Sequence, residues 1–415
     1  MQKAATDSDP PRQRPEVSAA AEAPPSESGD APARKRIAAL CTTYFIRSHA
    51  DNFVTRFLEG YWILDSFHAP VCEVASLYLD QVHRADVGTR LSMAYGFPIA
   101  STIRDALTLG TGSLAVDGVL LIAEHGDYPS NERNQKLFPR HEFMEQVVAV
   151  FRESGRSVPV FVDKHLSYEW SKAEQMYRWS KELRFPFMAG SSVPVTARQP
   201  ELDLPLECDM EEILAVGSAA QGDGLLFHLL EAVQCFAERR RGGETGIKAV
   251  QMIAGAAVWE EARRGRWDRG LLDAALACRA LEGSPGRPED VAQRPLACFL
   301  EYADGLRATA LSLGGGVTFD HTLALKLKGR RTYPAVLFHM PSENANYISP
   351  LVHSITRMFQ TGRPDYPVER TLLTTGALAY LMESGYRGQE GLETPGLNVC
   401  YRAPERSCFA RRGSS

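Results

Sequence analysis

The chain has 415 residues, 44% of them hydrophobic and 23% charged, enough to bury two domain cores. A net charge of −5 provides no basic footprint for nucleic acid or for an anionic membrane surface. No apolar run approaches the roughly 20 residues of a membrane-spanning helix.

Residues 1–34 are rich in Ala, Pro, Ser, Glu and Asp, lack the apolar region of a secretory signal, and read as a disordered tail. An apolar strand over 36–41 opens the ordered part and leads to a helical pattern through Phe53, Phe57 and Leu58. Further apolar strands at 70–80, 116–123, 160–166 and 186–190 alternate with helical patterns at 90–95, 103–107, 141–154 and 171–183. That alternation predicts a Rossmann-like, doubly wound parallel sheet over residues 35–195. Beyond Pro200, strands are expected at 211–218, 247–253, 322–328 and 336–340, with a hairpin around Ala303-Asp304-Gly305. Helices are expected at 225–241, 271–280, 350–359 and 371–385. Few strand crossovers imply an α+β domain over 196–402, a mostly antiparallel sheet with helices on one face, followed by a flexible tail over 403–415. Eight scattered cysteines with no C-x-x-C pair suit free thiols in a reducing cytoplasm.

The strand Val160-Phe161-Val162 ends in Asp163, Lys164 and His165, and the carboxyl ends of strands in such sheets face the ligand crevice. A lysine placed there can move a proton to or from a hydroxyl; the plainer reading pairs it with Asp163 at the surface. Glu124-His125-Gly126-Asp127 follows the 116–123 strand and either lines the same crevice or makes a turn. His228 and Glu231 share a helix face as His-x-x-Glu, either as a working pair or as a core histidine beside a solvated carboxylate. Glu124, His125, Asp163, His165, His228 and Glu231 around one cleft would suit divalent zinc, manganese or iron, although no H-E-x-x-H spacing accompanies them. The cluster Arg239-Arg240-Arg241 closes a helix, where positive charge suits the dipole, and is assigned no nucleic acid.

Several segments in this order resemble the Gfo/Idh/MocA family, the glucose–fructose oxidoreductase and inositol dehydrogenase group. They are Tyr95-Gly96-Phe97-Pro98, the 116–122 strand, Asp163-Lys164, Phe227-His228-Leu229-Leu230-Glu231, Glu301-Tyr302-Ala303-Asp304-Gly305 and Thr361-Gly362-Arg363-Pro364. The resemblance implies NAD or NADP chemistry on a sugar-like, hydroxylated or natural-product small molecule. It also implies catalytic roles for Lys164 and His228 beside Asp163, His165 and Glu231, and a substrate loop holding His125 and Asp127. By the same token Cys41, Thr42, Thr43, Asp80 and Glu124 would border the cofactor, and copies would pair through the second sheet. The sequence departs from the family where the cofactor should lie. Cys41, Thr43 and Ile46 occupy the three positions of the glycine fingerprint, and Asp80 lies well beyond the roughly 20 residues that usually separate it from the ribose-binding acid. An alternative follows: a non-redox eliminase, isomerase, hydrolase or cyclase on the same fold. A ligand-binding or scaffold role is the third reading.

Overall fold

The fold is taken from a computed structural model that describes residues 34–218, 223–279, 286–314, 316–341 and 345–412. The expected N-terminal tail, up to residue 33, lies outside the described residues. In chain order the elements begin with β1 (Lys35–Cys41), α1 (His49–Glu59), β2 (Tyr61–Ile63), β3 (Ser66–His68), β4 (Cys72–Leu79), α2 (Gly88–Tyr95), β5 (Ile99–Ala100) and α3 (Ile103–Thr108). They continue with β6 (Gly118–Ile122), α4 (Arg140–Ser154), β7 (Val160–Asp163), α5 (Trp170–Glu182), β8 (Phe187–Gly190) and β9 (Arg198–Gln199). The second half holds β10 (Met210–Gly217), α6 (Asp223–Ala237), β11 (Ile247–Ala254), α7 (Ala257–Arg263), α8 (Arg269–Ala277), α9 (Pro288–Val291), β12 (Leu296–Tyr302) and β13 (Arg307–Ser312). It closes with β14 (His321–Leu327), β15 (Ala335–Phe338), α10 (Ser349–Thr361), α11 (Glu369–Tyr386) and β16 (Leu392–Glu393).

The first sheet is wholly parallel in the order β5-β4-β1-β6-β7-β8. Its strands β1, β6, β7 and β8 are short, largely apolar runs buried on both faces, as a parallel sheet requires. Successive side chains leave β1 on opposite sides. Ala38 and Leu40 join Phe143, Val147 and Met176 from α4 and α5, whereas Ile37 and Ala39 join Phe53 of α1 and Ile355 and Phe359 of α10. Chain order reverses at β1, so the carboxyl ends of β1 and β6 flank the topological switch point, where open α/β sheets take their ligands.

The second sheet has eight strands in the order β16-β11-β12-β13-β10-β14-β15-β9 and is antiparallel except for the β10–β13 pair. The expected fold class therefore stands, with three revisions. Helices cover both faces of this sheet: α6 and α11 pack on one, while Trp259, Trp267 and Leu271 of the α7–α8 region fill the other. Helix α10, grouped by the sequence pattern with the second domain, packs on the first sheet. A Cβ at Gly118 would come within 2.7 Å of Phe359, so that approach depends on glycine. Gly118→Ala should cost about 1–3 kcal/mol through overpacking, read as a lower urea midpoint. Finally, residues 403–412 are anchored rather than flexible. Phe409 is buried, the Ala410 amide donates to Val195 O at 2.9 Å, and Asp203 accepts from Ser407 and Arg411.

Candidate active site

Strand β7 ends where three consecutive side chains diverge. Lys164 has φ +66°, a left-handed conformation that costs a β-carbon residue about 1 kcal/mol or more and clusters at functional sites. Its amide donates to Gly190 O at 3.0 Å, which holds the kink against β8. The kink sends the three side chains to different first partners, with Lys164 and His165 both also reaching the start of α6. Asp163 Oδ2 lies 2.5 Å from Nδ1 of His49, the first residue of α1. Lys164 Nζ lies 3.2 Å from Glu124 Oε1, just past β6, and 3.5 Å from Gly224 O at the start of α6. His165 Nε2 is 3.2 Å from Nη1 of Arg140, at the start of α4, and 3.7 Å from Asp223 Oδ2.

Arg140 also donates to Glu124, so that carboxylate is clasped by two cations. Burial alone would raise the Glu124 carboxyl; Lys164 and Arg140 instead hold it well below the usual range. Burial, with Arg140 beside it, keeps His165 far below the usual imidazole range and therefore neutral. Arg140 then donates to Nε2, which leaves the proton on Nδ1. Burial likewise raises the Asp223 carboxyl against the pull of Arg140.

A cavity of about 230 Å³ opens beside this cluster, with His49, Asp163, Ser191, Ser192, His228 and His321 among its polar walls and Phe53, Leu225 and Phe319 among the apolar ones. Burial, reinforced by Lys164, lowers His228 far below its usual range, and burial lowers His321 to about 4. Among the described residues, His228 Nδ1 and His321 Nε2 are buried without hydrogen-bond partners. A hollow of about 350 Å³ on the second sheet is larger, but its two arginines are already paired, Arg240 with Asp304 and Arg241 with Asp209, and no histidine lines it among the described residues. The strand-end cavity is the candidate site.

Other expected residues fall elsewhere. Glu231 does not serve His228: its Oε2 accepts from the Ser191 amide at 2.6 Å and its Oε1 from Thr371 Oγ1 at 3.3 Å. Burial pushes that carboxyl up to about 7. Asp127 is exposed, with its backbone bound to Gln81. Asp80 directly follows β4, but its carboxylate accepts from Tyr78 at 3.0 Å and Tyr128 at 2.5 Å. Cys41, Thr42 and Thr43 are fully or almost fully buried, and Thr42 Oγ1 donates to Glu124 O at 2.9 Å. His125 stands beside the cluster with its ring 5.2 Å from that of His49 and its Nδ1 buried, lowered first by burial and then by His49. Among the described residues no group of three or more His, Cys, Asp or Glu is placed to hold a metal ion.

No protein-family model matches the chain, and no curated protein matches it in sequence. Solved structures do. Myo-inositol dehydrogenase from Lactobacillus casei, in complex with NAD(H) and myo-inositol, superposes with a TM-score of 0.57 at 10% identity, covering 87% of this chain and 97% of that one. GenD2 from gentamicin A biosynthesis, in complex with NAD, gives 0.54 at 14% identity, covering 87% and 96%. A myo-inositol dehydrogenase from Corynebacterium glutamicum gives 0.52 at 11% identity, covering 87% and 99%. The chain has the Gfo/Idh/MocA fold.

The nicotinamide dinucleotide implied by a Gfo/Idh/MocA fold does not fit the first turn as these residues stand. Dinucleotide pyrophosphate needs glycine backbone at the β1–α1 turn. Here Thr43 fills that turn, and two amides of the first turn of α1 are already engaged, Asp51 N by Ser48 Oγ and Asn52 N by Ser48 O. The chain also lays its own loop across the switch point. Asp127 N donates to Gln81 Oε1 at 2.9 Å, Gln81 Nε2 to Asp127 O at 3.2 Å, and Tyr128 to Asp80. Because β1 lies between β4 and β6, those bonds carry residues 124–128 over its carboxyl end.

Arg140, Asp223, His321 and Ser191 were not among the residues singled out from sequence as working in the Gfo/Idh/MocA frame. Arg140 and His321 stand one residue ahead of the helix expected over 141–154 and the strand expected over 322–328, and no local spacing marks either. His49 opens α1, the helix that follows the first strand.

Proposed function

We propose that this protein is a small-molecule enzyme of the oxidoreductase kind found among its structural neighbours, acting on a hydroxylated, sugar-like or natural-product substrate by proton transfer in the strand-end cavity. The observation that carries this reading is the pair of buried, unpartnered ring nitrogens on its wall, His228 Nδ1 and His321 Nε2. Buried polar atoms left without partners are costly, and a ligand hydroxyl, which both donates and accepts, satisfies them. Both rings are held neutral, and neither lysine nor arginine lines the cavity among the described residues, which suits an uncharged ligand. His228 binds the reacting hydroxyl. Lys164, committed to Glu124, acts from behind the wall by keeping His228 uncharged.

A screen of unprotected sugars, cyclitols and related natural products, with products followed by mass spectrometry, tests the reading. Turnover is expected, and His228→Ala should reduce it by about 10²-fold or more. Wild-type protein that neither converts nor binds any member overturns it.

A second reading, a non-redox acid–base enzyme on the same fold, is favoured by one specific observation: the 124–128 loop lies where a dinucleotide would cross β1. The redox reading is supported by two neighbours solved with NAD or NAD(H). Titration with NADH and NADPH, followed by nicotinamide fluorescence, separates the two. Saturable binding favours the oxidoreductase; turnover that persists in nicotinamide-free protein without binding favours the alternative.

A further inference from the structure

Two histidine-bearing arrangements face the cavity, and only one has the geometry of a base with a fixed tautomer. His228 and His321 have their rings 6.1 Å apart, and among the described residues no carboxylate is bonded to either. His49 has one. Its Nδ1 is 2.5 Å from Asp163 Oδ2. A carboxylate only accepts, so Nδ1 carries a proton in either state of the ring, and in the neutral ring the lone pair is on Nε2. Both residues line the cavity, whereas Lys164 and Glu124 do not. Exposure separates them further. The His49 side chain is 20% exposed, against 6% for Lys164, 2% for Asp163 and 1% for His165.

We infer that His49 is the group that takes the substrate proton, through Nε2, and that Asp163 is the positioning residue that fixes its tautomer. The inference rests on the cavity being a proton-transfer site. In the step, the substrate O–H bond breaks and its electron pair stays on oxygen. The proton bonds to His49 Nε2, and Nδ1–H stays with Asp163. The step itself involves no change in oxidation state. The imidazolium that forms faces Asp163 and Lys164 from the end of β7, Glu124 and His125 from beyond β6, His228 from α6, and Tyr347 ahead of α10. Asp163 and Glu124 are the anions among these, and they compensate the new charge. The proton then returns to product or leaves through the exposed part of the ring.

The wild-type protein tests this without a substrate. Long-range nitrogen–proton NMR on histidine-labelled full-length chain should show His49 as the Nδ1–H tautomer, and Asp163→Asn should convert it to Nε2–H, as loss of the orienting carboxylate does in serine proteases. Peptide mapping after diethyl pyrocarbonate should find His49 modified well before His165 and His321. With a substrate from the screen, His49→Gln should lower kcat by about 10²–10⁴-fold with KM little changed. Asp163→Asn should lower kcat alone, and the double variant should lose no more than His49→Gln does. An Nε2–H tautomer in the wild type, slow modification of His49, or full kcat in His49→Gln overturns the inference. If the tautomer and modification results hold while nothing in the screen turns over, the substrate reading fails and the His49–Asp163 pair stands.

Discussion

Arg140→Ala is expected to destabilise the fold by about 3–5 kcal/mol, the usual cost of removing one partner from a buried ion pair. The Arg140 side chain is fully buried, donates to the Glu124 carboxylate and reaches His165 Nε2 at 3.2 Å. Its loss leaves Glu124 with Lys164 at 3.2 Å as its remaining cation within the cluster, and removes the larger of the two charges, Arg140 and Lys164, that oppose the burial of Asp223. The penalty is desolvation of a stranded charge rather than a missing contact, so removing the charge as well should undo much of it. Replacing all three charges, Arg140→Met with Glu124→Gln and Lys164→Met, is therefore expected to give a protein markedly more stable than Arg140→Ala alone. Urea denaturation followed by tryptophan fluorescence reads both variants. A loss below about 1 kcal/mol for Arg140→Ala would mean that water already satisfies the carboxylate, and the clasp would then have no structural weight.

The same cluster shows how far the sequence reaches. Strands β1, β6, β7 and β8 are legible because two-sided burial writes them as largely apolar runs, β4 because its apolar residues are broken only at Glu73 and Ser76, and Asp163, Lys164 and His165 stand out because charge ends one of those runs. Their partners are not legible. His49 and Asp163 are 114 positions apart, and Lys164 and Gly224 are 60 apart. Those distances are closed by the parallel crossovers and by the return of α6 to the first sheet, which no local periodicity encodes. Glu231 illustrates the limit within one helix. Its spacing from His228 correctly puts both on adjoining parts of a face, but the neighbour that meets each part is set by tertiary packing, and β8 with α11 claims the carboxylate. The closed switch point was half legible. Cys41, Thr43 and Ile46 announce that glycine is missing, while the loop that crosses β1 depends on Gln81 and Tyr128, whose residue types carry no such signal.

Stability should fall as pH drops from about 6.5 toward 4, and His321 should carry an identifiable share of that fall. His165, His228 and His321 all have folded-state affinities for protons below the ordinary imidazole, His321 at about 4. In that window the unfolded chain binds protons that the folded chain refuses, so each such histidine contributes a slope of up to about 1.4 kcal/mol per pH unit, with stability rising as pH rises. His125 and His353 move in the same direction. Glu231, raised to about 7, and Asp223, also raised, act with the opposite sign, since the folded chain keeps their protons longer than the unfolded chain does. The histidines outnumber them, and the net slope is positive. His321→Gln removes one refused proton, so the difference between wild type and variant should close by roughly 3 kcal/mol between pH 6.5 and 4, in the variant's favour at low pH. Glu231→Gln should do the reverse and steepen the dependence. Urea curves at closely spaced pH values measure both differences. Parallel profiles for wild type and His321→Gln would show that the ring is already solvated, and the cavity wall would lose its claim to neutral, ligand-ready imidazoles.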